Sequence, residues 1–383
     1  MTRIRVLEMI DKPSLGGGQI HIISLAKGLD REKFDIAVCS KGGGALEDEL
    51  RRERISHFPA PFRKNGWRQN VRGIASVLEK HKPDILHTHG GVAGLYGRWA
   101  ARKSRTPIIV HTLHGIHYLH YRNLLLKRAC IVLERYFSRL TDALIFVSEA
   151  DRKSGQQHKL SAEKKMVTLK NGIDFGLYQQ LDKGAKQEKI RELRLEGFQP
   201  IIGSVARLHR QKGLTYLVQA AQKVSQVFPG IKILVAGSGP LKEKLEAEVH
   251  RLGLENQMCF MGERRDIPQL LSLFDVFVLS SLWEGLPYAL MEAAALALPV
   301  VATDVEGVRE IIKPRESGLL VPPRNPEALA QSIITLLQDP EYASRLGMNL
   351  RRDVANQYGL SKMLAAMESL YLKLYQGIDS PRK

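Results

Sequence analysis

The sequence predicts an α/β protein made of two doubly wound domains, each with a parallel sheet, and three observations predict it. Short runs rich in β-branched residues alternate with longer amphipathic stretches, which is typical of βα units. The alternation occurs twice, with a polar and charged segment at residues 174–199 between the two series. The composition, 44% hydrophobic and 25% charged over 383 residues, is that of a folded globular protein large enough for two domains.

The first series of elements predicts an N-terminal domain over residues 1–180. Helical stretches, among them Gln19–Leu29, Arg68–His81 and Tyr121–Leu140, separate six short β-branched runs. These predicted strands are Ile4–Met9, Asp35–Cys39, Ile85–Thr88, Pro107–Thr112, Ala143–Val147 and Lys165–Leu169. Strands that alternate with helices in this way favour a parallel sheet.

The second series predicts a C-terminal domain over residues 181–360, and the polar segment before it reads as a linker. Its predicted strands are Ile201–Ala206, Ile231–Gly237, Met258–Met261, Val276–Ser280, Val300–Thr303 and Gly318–Val321. A last helix, at residues 361–376, is expected to pack back on the N-terminal domain. Ligands of open α/β sheets bind beyond the carboxyl ends of the strands, so we expect a site in a cleft where the two domains face each other.

The charge and cysteine patterns limit the class of protein. No apolar run reaches the roughly 18–20 residues of a membrane span, the start has no signal-peptide core, and three cysteines lie far apart. We therefore expect a cytoplasmic protein.

The positive charge of the chain is concentrated in its first half. The net charge is +17, and residues 1–180 hold 31 Lys and Arg against 17 Asp and Glu. Two stretches, Arg54–Leu78 (with Arg63, Lys64, Arg68 and Arg72) and Ile85–Leu133, contain no acidic residue. Such a field attracts phosphates or an anionic membrane surface, although it also fits a solubilising surface.

Two loops have the composition of phosphate-binding sites. Gly16, Gly17 and Gly18 lie between the first strand and the first helix, where glycines allow close backbone approach and a helix N-terminus attracts anions. A plain tight turn explains them equally well. In the second domain, Arg207 ends a strand and Lys212 precedes the next helix, a placement that suits a diphosphate or, alternatively, a solvated basic loop.

Two glutamates stand in the most informative segment, residues 280–295. Glu284 lies in a turn after a strand, followed by Gly285, Leu286 and Pro287 at a helix entrance. Glu292 lies one turn into that helix among small apolar residues, so its carboxylate needs a partner or a ligand. A carboxylate can accept hydrogen bonds from two adjacent hydroxyls, as on a ribose. The helix macrodipole would also favour an acid here, but it does not explain the apolar surroundings.

Nearly the whole chain resembles the retaining glycosyltransferases of family four, also called glycosyltransferase group 1. The resemblance includes the bacterial members that assemble polysaccharides and other glycans. The motifs that carry it are the glycines at 16–18, Pro83–His89, Thr112–Gly115, Lys170–Asp174, Val205–Arg207 with Lys212 and Gly213, Val235–Pro240, Glu284–Pro287 with Glu292, and Leu298–Ala302. The resemblance implies the GT-B fold, in which two Rossmann-like domains face each other across a cleft.

The resemblance also implies roles for individual residues. Glu292 would hold the ribose hydroxyls of a nucleotide-sugar donor, and Arg207 and Lys212 would bind its diphosphate and stabilise it as the leaving group. Gly16 and Gly17 would allow the loop of the first domain to close over the donor. Glu284, with the backbone of Gly285, Leu286 and Pro287, would contact the transferred sugar. His114 would hydrogen-bond a sugar hydroxyl near the reacting carbon.

The predicted activity is that of a retaining hexosyltransferase. It would move a sugar from a nucleotide-diphosphate sugar, with UDP favoured over GDP, to a hydroxyl on a glycan or polyprenyl-diphosphate-linked precursor. Basic and aromatic residues of the first domain (Trp67, Trp99, Tyr118 and Tyr121 among them) fit an acceptor at the inner face of the plasma membrane. Fixed cations make a metal or other cofactor unnecessary. The spacing of His111, His114, His117 and His120 could suggest a metal cluster, but we do not expect one.

Two other functions remain open. A nucleotide-sugar 2-epimerase could use the same fold, but it needs catalytic acids that the sequence does not present. A basic nucleic-acid-binding protein would use the charge of the first half, yet no helix-turn-helix, RNA-binding signature or zinc spacing supports it. We therefore expect no nucleic-acid partner.

Overall fold

The computed structural model describes residues 3–63 and 66–379, which form two compact units. The first unit contains the described residues up to Gly172 together with the helix that begins at Leu360, and the second unit is Ile173–Gly359. The first division therefore falls a few residues before the predicted position at 180. Lys64, one of the basic residues counted above, lies outside the described residues.

The sheet of the first unit has seven parallel strands. Its order is β3-β2-β1-β4-β5-β6-β7, so the chain runs outward from β1 and then returns to β1 on its other side as β4. The strands are β1 (Ile4–Ile10), β2 (Phe34–Ser40), β3 (Ser56–Pro59), β4 (Ile85–His89), β5 (Ile108–Leu113), β6 (Ala143–Phe146) and β7 (Met166–Thr168). Successive strands are added to one side of β1 as far as β3 and to its other side from β4 onward. This reversal of the strand order creates a crevice at the carboxyl ends of β1 and β4, which are parallel.

Six helices alternate with these strands, in agreement with the predicted βα pattern. They are α1 (Gly17–Gly28), α2 (Ala45–Arg52), α3 (Trp67–His81), α4 (Gly91–Ser104), α5 (Leu124–Arg139) and α6 (Glu149–Gln157). Helix α5 differs from the others because its N-terminal half is exposed: Leu124, Leu125 and Leu126 are 67%, 76% and 51% exposed.

The second unit has a six-stranded parallel sheet in the order β10-β9-β8-β11-β12-β13. Its strands are β8 (Ile201–Val205), β9 (Lys232–Ala236), β10 (Met258–Phe260), β11 (Val276–Leu279), β12 (Val300–Thr303) and β13 (Leu319–Val321). The reversal here lies between β8 and β11, which pair directly. Two doubly wound parallel sheets, as the sequence predicts, are therefore confirmed.

The helices of the second unit include one inside the predicted linker. They are α7 (Lys183–Glu192), α8 (Leu214–Val227), α9 (Lys242–Arg251), α10 (Ile267–Leu271), α11 (Tyr288–Ala295), α12 (Glu306–Arg309), α13 (Pro326–Gln338) and α14 (Pro340–Gln357). Helix α7 has no buried residue, and Asp182 caps it by accepting a hydrogen bond from the Ala185 amide at 2.9 Å. A polar segment thus forms a surface helix, because a good cap and long side chains support it without a buried face.

The last helix, α15 (Leu360–Asp379), packs on the first unit. Met363, Met367 and Tyr371 are buried in a core that also contains residues of β1, β2, β4, β5 and β6. The Tyr371 ring meets the ring of Phe34 edge-on at 5.9 Å between centroids. Among the described residues, none of the helices combines the length and apolar character that crossing a bilayer requires.

Candidate active site

Two loops of the second unit meet at the crevice between β8 and β11. One loop follows β8 and carries Arg207 and Lys212, and the other follows β11 and carries Glu284. The Ser280 hydroxyl donates to the Lys212 carbonyl at 2.9 Å, and the Leu282 amide donates to the Gln211 carbonyl at 2.7 Å. These hydrogen bonds hold the two loops together at the position where open α/β sheets bind ligands.

Lys212 and Glu284 form a shielded ion pair in this crevice. The Lys212 Nζ lies 2.5 Å from Glu284 Oε1, and their side chains are 14% and 6% exposed. The Ser281 hydroxyl donates to the same oxygen at 2.5 Å, and Gln211 Nε2 donates to Glu284 Oε2 at 3.3 Å. Both carboxylate oxygens are therefore hydrogen-bonded, and the ammonium group is fixed beside them.

Arg207 is an exposed cation of the same loop. Its Nη2 donates to Gln211 Oε1 at 3.4 Å, while Gln211 Nε2 donates to the Trp283 carbonyl at 3.0 Å. Gln211 is buried and thus connects Arg207 with the loop after β11. The Arg207 side chain is therefore exposed to solvent while one hydrogen bond from Nη2 orients its guanidinium, which suits the binding of an incoming anion.

Gly213 allows this close meeting of the loops. Its φ is +59°, in the left-handed region, and a Cβ placed there would lie 2.1 Å from the Ser280 carbonyl oxygen. Any larger residue would force the two loops apart. Helix α8 begins at the next residue, so the glycine also ends the turn that carries Lys212.

Glu292 is buried in α11, as its apolar neighbours predict, and it has a partner. The Tyr178 hydroxyl donates to Glu292 Oε1 at 2.9 Å. Burial raises the pKa of Glu292 to about 6, although the hydrogen bond from Tyr178 opposes this shift. Glu292 is therefore ionised at neutral pH and can accept further hydrogen bonds, but it is close to its titration range.

Gly285, Leu286 and Pro287 form the buried entrance to α11. The helix begins at Tyr288, after Pro287 in extended conformation. Gly307 of α12 packs against this entrance so closely that a Cβ there would lie 1.8 Å from the Gly285 carbonyl oxygen. The first amides of α11 thus lie in a tightly packed turn, where a helix N-terminus attracts negative charge.

In the first unit, the glycine-rich loop and His114 lie close together. Helix α1 begins at Gly17, with Gly16 as its extended N-cap. A Cβ added at Gly18 would lie 3.5 Å from His114 Cδ2, so the loop passes directly beside the imidazole. His114 follows β5 and is partly exposed. Its Nε2 lies 3.0 Å from His89 Nδ1.

The four regularly spaced histidines do not form a metal site in the described part of the chain. His111 is buried in β5, whereas His117 and His120 lie in a short 3-10 turn. The one described group whose side chains lie close enough to hold an ion is Glu8 with His87 and His89. The sequence analysis did not single out this group, because its members lie on two strands separated by about 80 residues of chain.

Sequence reasoning also missed two partners of the predicted residues. Gln211 lies between Arg207 and Lys212, and this position in the loop is the one feature of the sequence that could have identified it as their partner. Tyr178 lies more than 100 residues from Glu292, and nothing in the sequence connects them. Tyr118, one of the aromatic residues that we expect to fit the acceptor, is partly buried against the core formed by Leu113, Ile116 and Phe146.

Known families match both units. A family model described as "Glycosyltransferase Family 4" matches residues 15–176, and one described as "Glycosyl transferases group 1" matches residues 185–353. Together they cover most of both domains.

Individual relatives match almost the full chain. The chain is 27% identical to an Escherichia coli protein named UDP-Gal:alpha-D-GlcNAc-diphosphoundecaprenol alpha-1,3-galactosyltransferase, over 97% of this chain and 98% of that relative. It is 24% identical to the capsular polysaccharide biosynthesis glycosyltransferase CapM of Staphylococcus aureus, over 90% of this chain and 91% of CapM.

The fold is shared with a solved structure. Anabaena HepE in complex with UDP-glucose superposes with a TM-score of 0.86 at 22% identity, over 97% of this chain and 100% of HepE. With both domains matched by family models and both sheets of the expected type, the chain belongs to the family four (group 1) glycosyltransferases and has the GT-B fold.

Proposed function

We propose that this glycosyltransferase transfers a hexose from a UDP-sugar, with retention of the anomeric configuration, to a hydroxyl of a lipid-linked or cell-surface glycan precursor. The observation that carries the proposal is the pair of anchored cations, Arg207 and Lys212, at the crevice between β8 and β11. The names of the relatives support the substrates: UDP-Gal and a diphosphoundecaprenol acceptor for the E. coli protein, and UDP-glucose in the HepE complex.

The donor diphosphate binds to Arg207, Lys212 and the first amides of α11. Lys212 has three donors, so it can keep Glu284 and still reach a phosphate oxygen. When the bond between the anomeric carbon and the phosphate oxygen breaks, negative charge develops on the diphosphate. Because these donors are fixed in advance, they stabilise that charge without reorganisation.

The ribose and the transferred sugar bind to the two glutamates. Glu292, ionised and supported by Tyr178, accepts hydrogen bonds from the adjacent ribose hydroxyls. Glu284 and the backbone from Gly285 to Pro287 contact the transferred sugar. In the Lys212–Glu284 pair, Lys212 therefore acts on the diphosphate side of the breaking bond and Glu284 on the sugar side. His114 hydrogen-bonds a hydroxyl of the sugar, and Gly16 and Gly17 leave room for the diphosphate.

The acceptor hydroxyl attacks the anomeric carbon from the face that the diphosphate leaves. Its proton passes to the departing phosphate oxygen, the new carbon–oxygen bond forms on the same face, and the nucleoside diphosphate is released. The two cations neutralise the leaving group, so the step needs no divalent metal. We accordingly assign acceptor binding to the first domain and nucleotide-sugar binding to the second.

An anionic membrane is the proposed source of the acceptor. Trp67, Trp99 and Tyr121 are exposed, and Trp67 and Trp99 meet edge-on at 5.6 Å. The exposed leucines of α5 stand beside Arg122, Lys127 and Arg128 in a stretch without acids. Apolar side chains flanked by cations are the composition of a surface that enters the interface of an anionic bilayer.

A thermal-shift panel of nucleotides and nucleotide sugars tests the donor. UDP and UDP-sugars at 100 times their Kd are expected to raise the free energy of unfolding by about 2.7 kcal/mol. Glu292→Ala is expected to lose this stabilisation, and Glu246→Ala, at an exposed glutamate of α9, is the matched control. With the stabilising UDP-sugar and a polyprenyl-diphosphate sugar, UDP release is expected to persist in EDTA. Conversion of the donor to an epimer without UDP release would contradict the proposal.

A further inference from the structure

A buried network of hydrogen bonds lies at the crevice between β1 and β4 of the first domain and ends at His114. It joins Glu8 of β1, His87 and His89 of β4, Thr112 of β5 and Tyr371 of α15, all of which are 0% exposed. None of these five residues has a part in the reaction as described above. A buried carboxylate among three imidazoles is costly, and a functional reason is therefore expected.

One arm of the network connects Glu8 with His114. The His89 Nε2 lies 2.6 Å from Glu8 Oε2, and the His89 Nδ1 lies 3.0 Å from His114 Nε2. The rings of His89 and His114 are nearly parallel, with an interplanar angle of 24° and centroids 5.3 Å apart. The carboxylate thus reaches His114 through a single intervening imidazole.

The other arm occupies the second oxygen of Glu8. The Tyr371 hydroxyl donates to Glu8 Oε1 at 2.7 Å and lies 2.6 Å from His87 Nδ1. His87 Nε2 lies 2.7 Å from the Thr112 hydroxyl. Both oxygens of Glu8 and both nitrogens of His87 and His89 are therefore engaged.

The positions of the protons follow from Glu8. The neighbouring His87 and His89 hold the pKa of Glu8 below its usual value although burial opposes this, so Glu8 is a carboxylate that can only accept. Burial lowers the pKa of His89 to about 4 and that of His114 well below its usual value, so both rings are neutral. His89 must then carry its proton on Nε2, its Nδ1 accepts, and His114 must donate from Nε2.

A bound metal does not explain the same group. Two ligand atoms at about 2.1 Å from one ion stand roughly 3 Å or more apart. The 2.6 Å between Glu8 Oε2 and His89 Nε2 is the length of a charge-assisted hydrogen bond instead. The arrangement therefore fits protons better than an ion.

We propose that Glu8 and His89 are positioning residues that hold His114 in the Nε2–H tautomer, so that Nδ1 remains an acceptor for a hydroxyl of the sugar substrate. The consequence for the reaction rests on the proposed function, whereas the tautomer itself does not. Tyr371 extends the network to the C-terminal helix, which thereby fixes the second oxygen of the carboxylate. His114 thus presents Nδ1 to the substrate only as a hydrogen-bond acceptor, and not as an acceptor in some molecules and a donor in others.

Nitrogen-15 NMR of histidine side chains tests the tautomer directly in the full-length protein. The chain has 12 histidines, and the His114 signals are assigned by their loss in His114→Asn. We expect His114 and His89 to be protonated on Nε2 and not on Nδ1. In Glu8→Gln, His114 is expected to populate both tautomers. A proton on His114 Nδ1 in the wild-type protein would overturn the inference, whether or not Glu8→Gln folds.

The kinetic test separates positioning from folding. Glu8→Gln is expected to lower kcat for UDP release by about 10-fold to 100-fold, by analogy with the loss of a hydrogen-bond partner that orients a metal-bound histidine. UDP affinity is expected to stay unchanged. Glu134→Gln is the matched control, because Glu134 is a buried carboxylate bound by Arg98 at 2.7 and 3.0 Å in the same domain but outside the network. Its kcat is expected to be unchanged. An unaltered kcat in Glu8→Gln would contradict the role.

A pair of substitutions at His114 tests which nitrogen matters. The amide oxygen of Asn can take the place of Nδ1, whereas the longer Gln places its amide near Nε2. His114→Asn is expected to keep more activity than His114→Gln, and the reverse order would contradict the inference. Failure of the proposed function would show differently, as a wild-type protein that does not bind UDP although the tautomer is as described.

Discussion

At the scale of single residues, the second domain holds its charges in fixed positions before any substrate arrives. Lys212 pairs with Glu284, and Gln211 connects Arg207 with the Trp283 carbonyl. A transition state that gains negative charge benefits most from donors that need no rearrangement. The effect of removing one cation should therefore fall on turnover more than on folding.

Replacing Lys212 tests this expectation. Lys212→Met keeps the length of the side chain and is expected to lower kcat by about 10²–10³, because one fixed donor to the leaving group is lost. Arg210→Met is the matched control, since Arg210 is an exposed cation of the same turn. Steady-state kinetics and melting temperatures are measured for both. Equal losses in the two variants would show that net charge, rather than the position of Lys212, matters.

Glu292 leads to a pH prediction. Burial raises its pKa to about 6, so the carboxylate that we propose as the acceptor of the ribose hydroxyls is protonated as the pH falls from 7 to 5. Affinity for UDP-glucose is expected to fall over this window, and this ligand is chosen because it lacks a terminal phosphate that titrates near pH 6. Tyr178→Phe removes the hydrogen bond that lowers the pKa, so the midpoint is expected at higher pH.

Glu292→Gln is the control for this titration and is expected to bind UDP-glucose weakly with no dependence on pH between 5 and 7. For stability the pH dependence has the opposite sign: a carboxyl whose pKa rises on folding stabilises the fold below its unfolded pKa and loses that contribution as the pH rises through about 6. Calorimetric titration across the window checks the affinity. A midpoint that does not move in Tyr178→Phe would contradict the assignment.

Residue types at strand ends made several residues of the candidate site recognisable in the sequence. Arg207, Lys212, Glu284 and Glu292 stand out in the sequence because charge at the carboxyl end of a strand, or among alanines, has few structural explanations. The partners of the predicted residues did not stand out, because Tyr178 contacts Glu292, and Glu8 reaches His114 through His89, only in the folded structure. A network such as Glu8–His89–His114 joins residues from β1, β4 and the end of β5, so it can be recognised only in the three-dimensional structure.

At the scale of elements, α5 is the clearest departure from a buried amphipathic helix. Its buried residues, Glu134, Phe137 and Ser138, all lie in its C-terminal half. The Asn123 side chain caps its start by accepting from the Leu126 amide at 3.0 Å, so the exposed first turn is formed and not frayed. An ordered turn of exposed leucines favours docking on another surface.

Vesicle flotation tests whether that surface is an anionic membrane. The protein is expected to float with vesicles that contain phosphatidylglycerol and to float less in high salt. Leu124→Ser and Leu125→Ser are each expected to lower the partition coefficient by about 10-fold to 150-fold, since burying one leucine side chain contributes about 1.5–3 kcal/mol. Met348→Ser is the control, because Met348 is 58% exposed on the second domain. Wild-type protein that stays wholly unbound at low salt would contradict membrane docking.

Most strands were predicted to within one or two residues because parallel strands buried on both faces are short β-branched runs. Strand β3 was missed because its sequence, Ser-His-Phe-Pro, is short, polar and ends in proline, as befits a sheet edge. Helix α7 was read as a linker because it has no buried face. Both errors concern surface elements, where local patterns carry less information than in the core.

At the scale of the whole molecule, the two domains repeat one topology, and in each the polar groups gather at the point where the strand order reverses. In the first domain that point holds the Glu8 network, and in the second it holds Arg207, Lys212 and Glu284. Sequence motifs predicted the family and the fold because they lie at these strand ends. Sugar and acceptor identity depend on loop shapes that no strand pattern encodes.

A crystal structure of the protein with UDP tests the central claim most directly. The account predicts diphosphate oxygens within hydrogen-bond distance of Arg207 and Lys212, about 3 Å, with both ribose hydroxyls on the Glu292 carboxylate. UDP that binds elsewhere, or a bound UDP whose ribose does not touch Glu292, would contradict it.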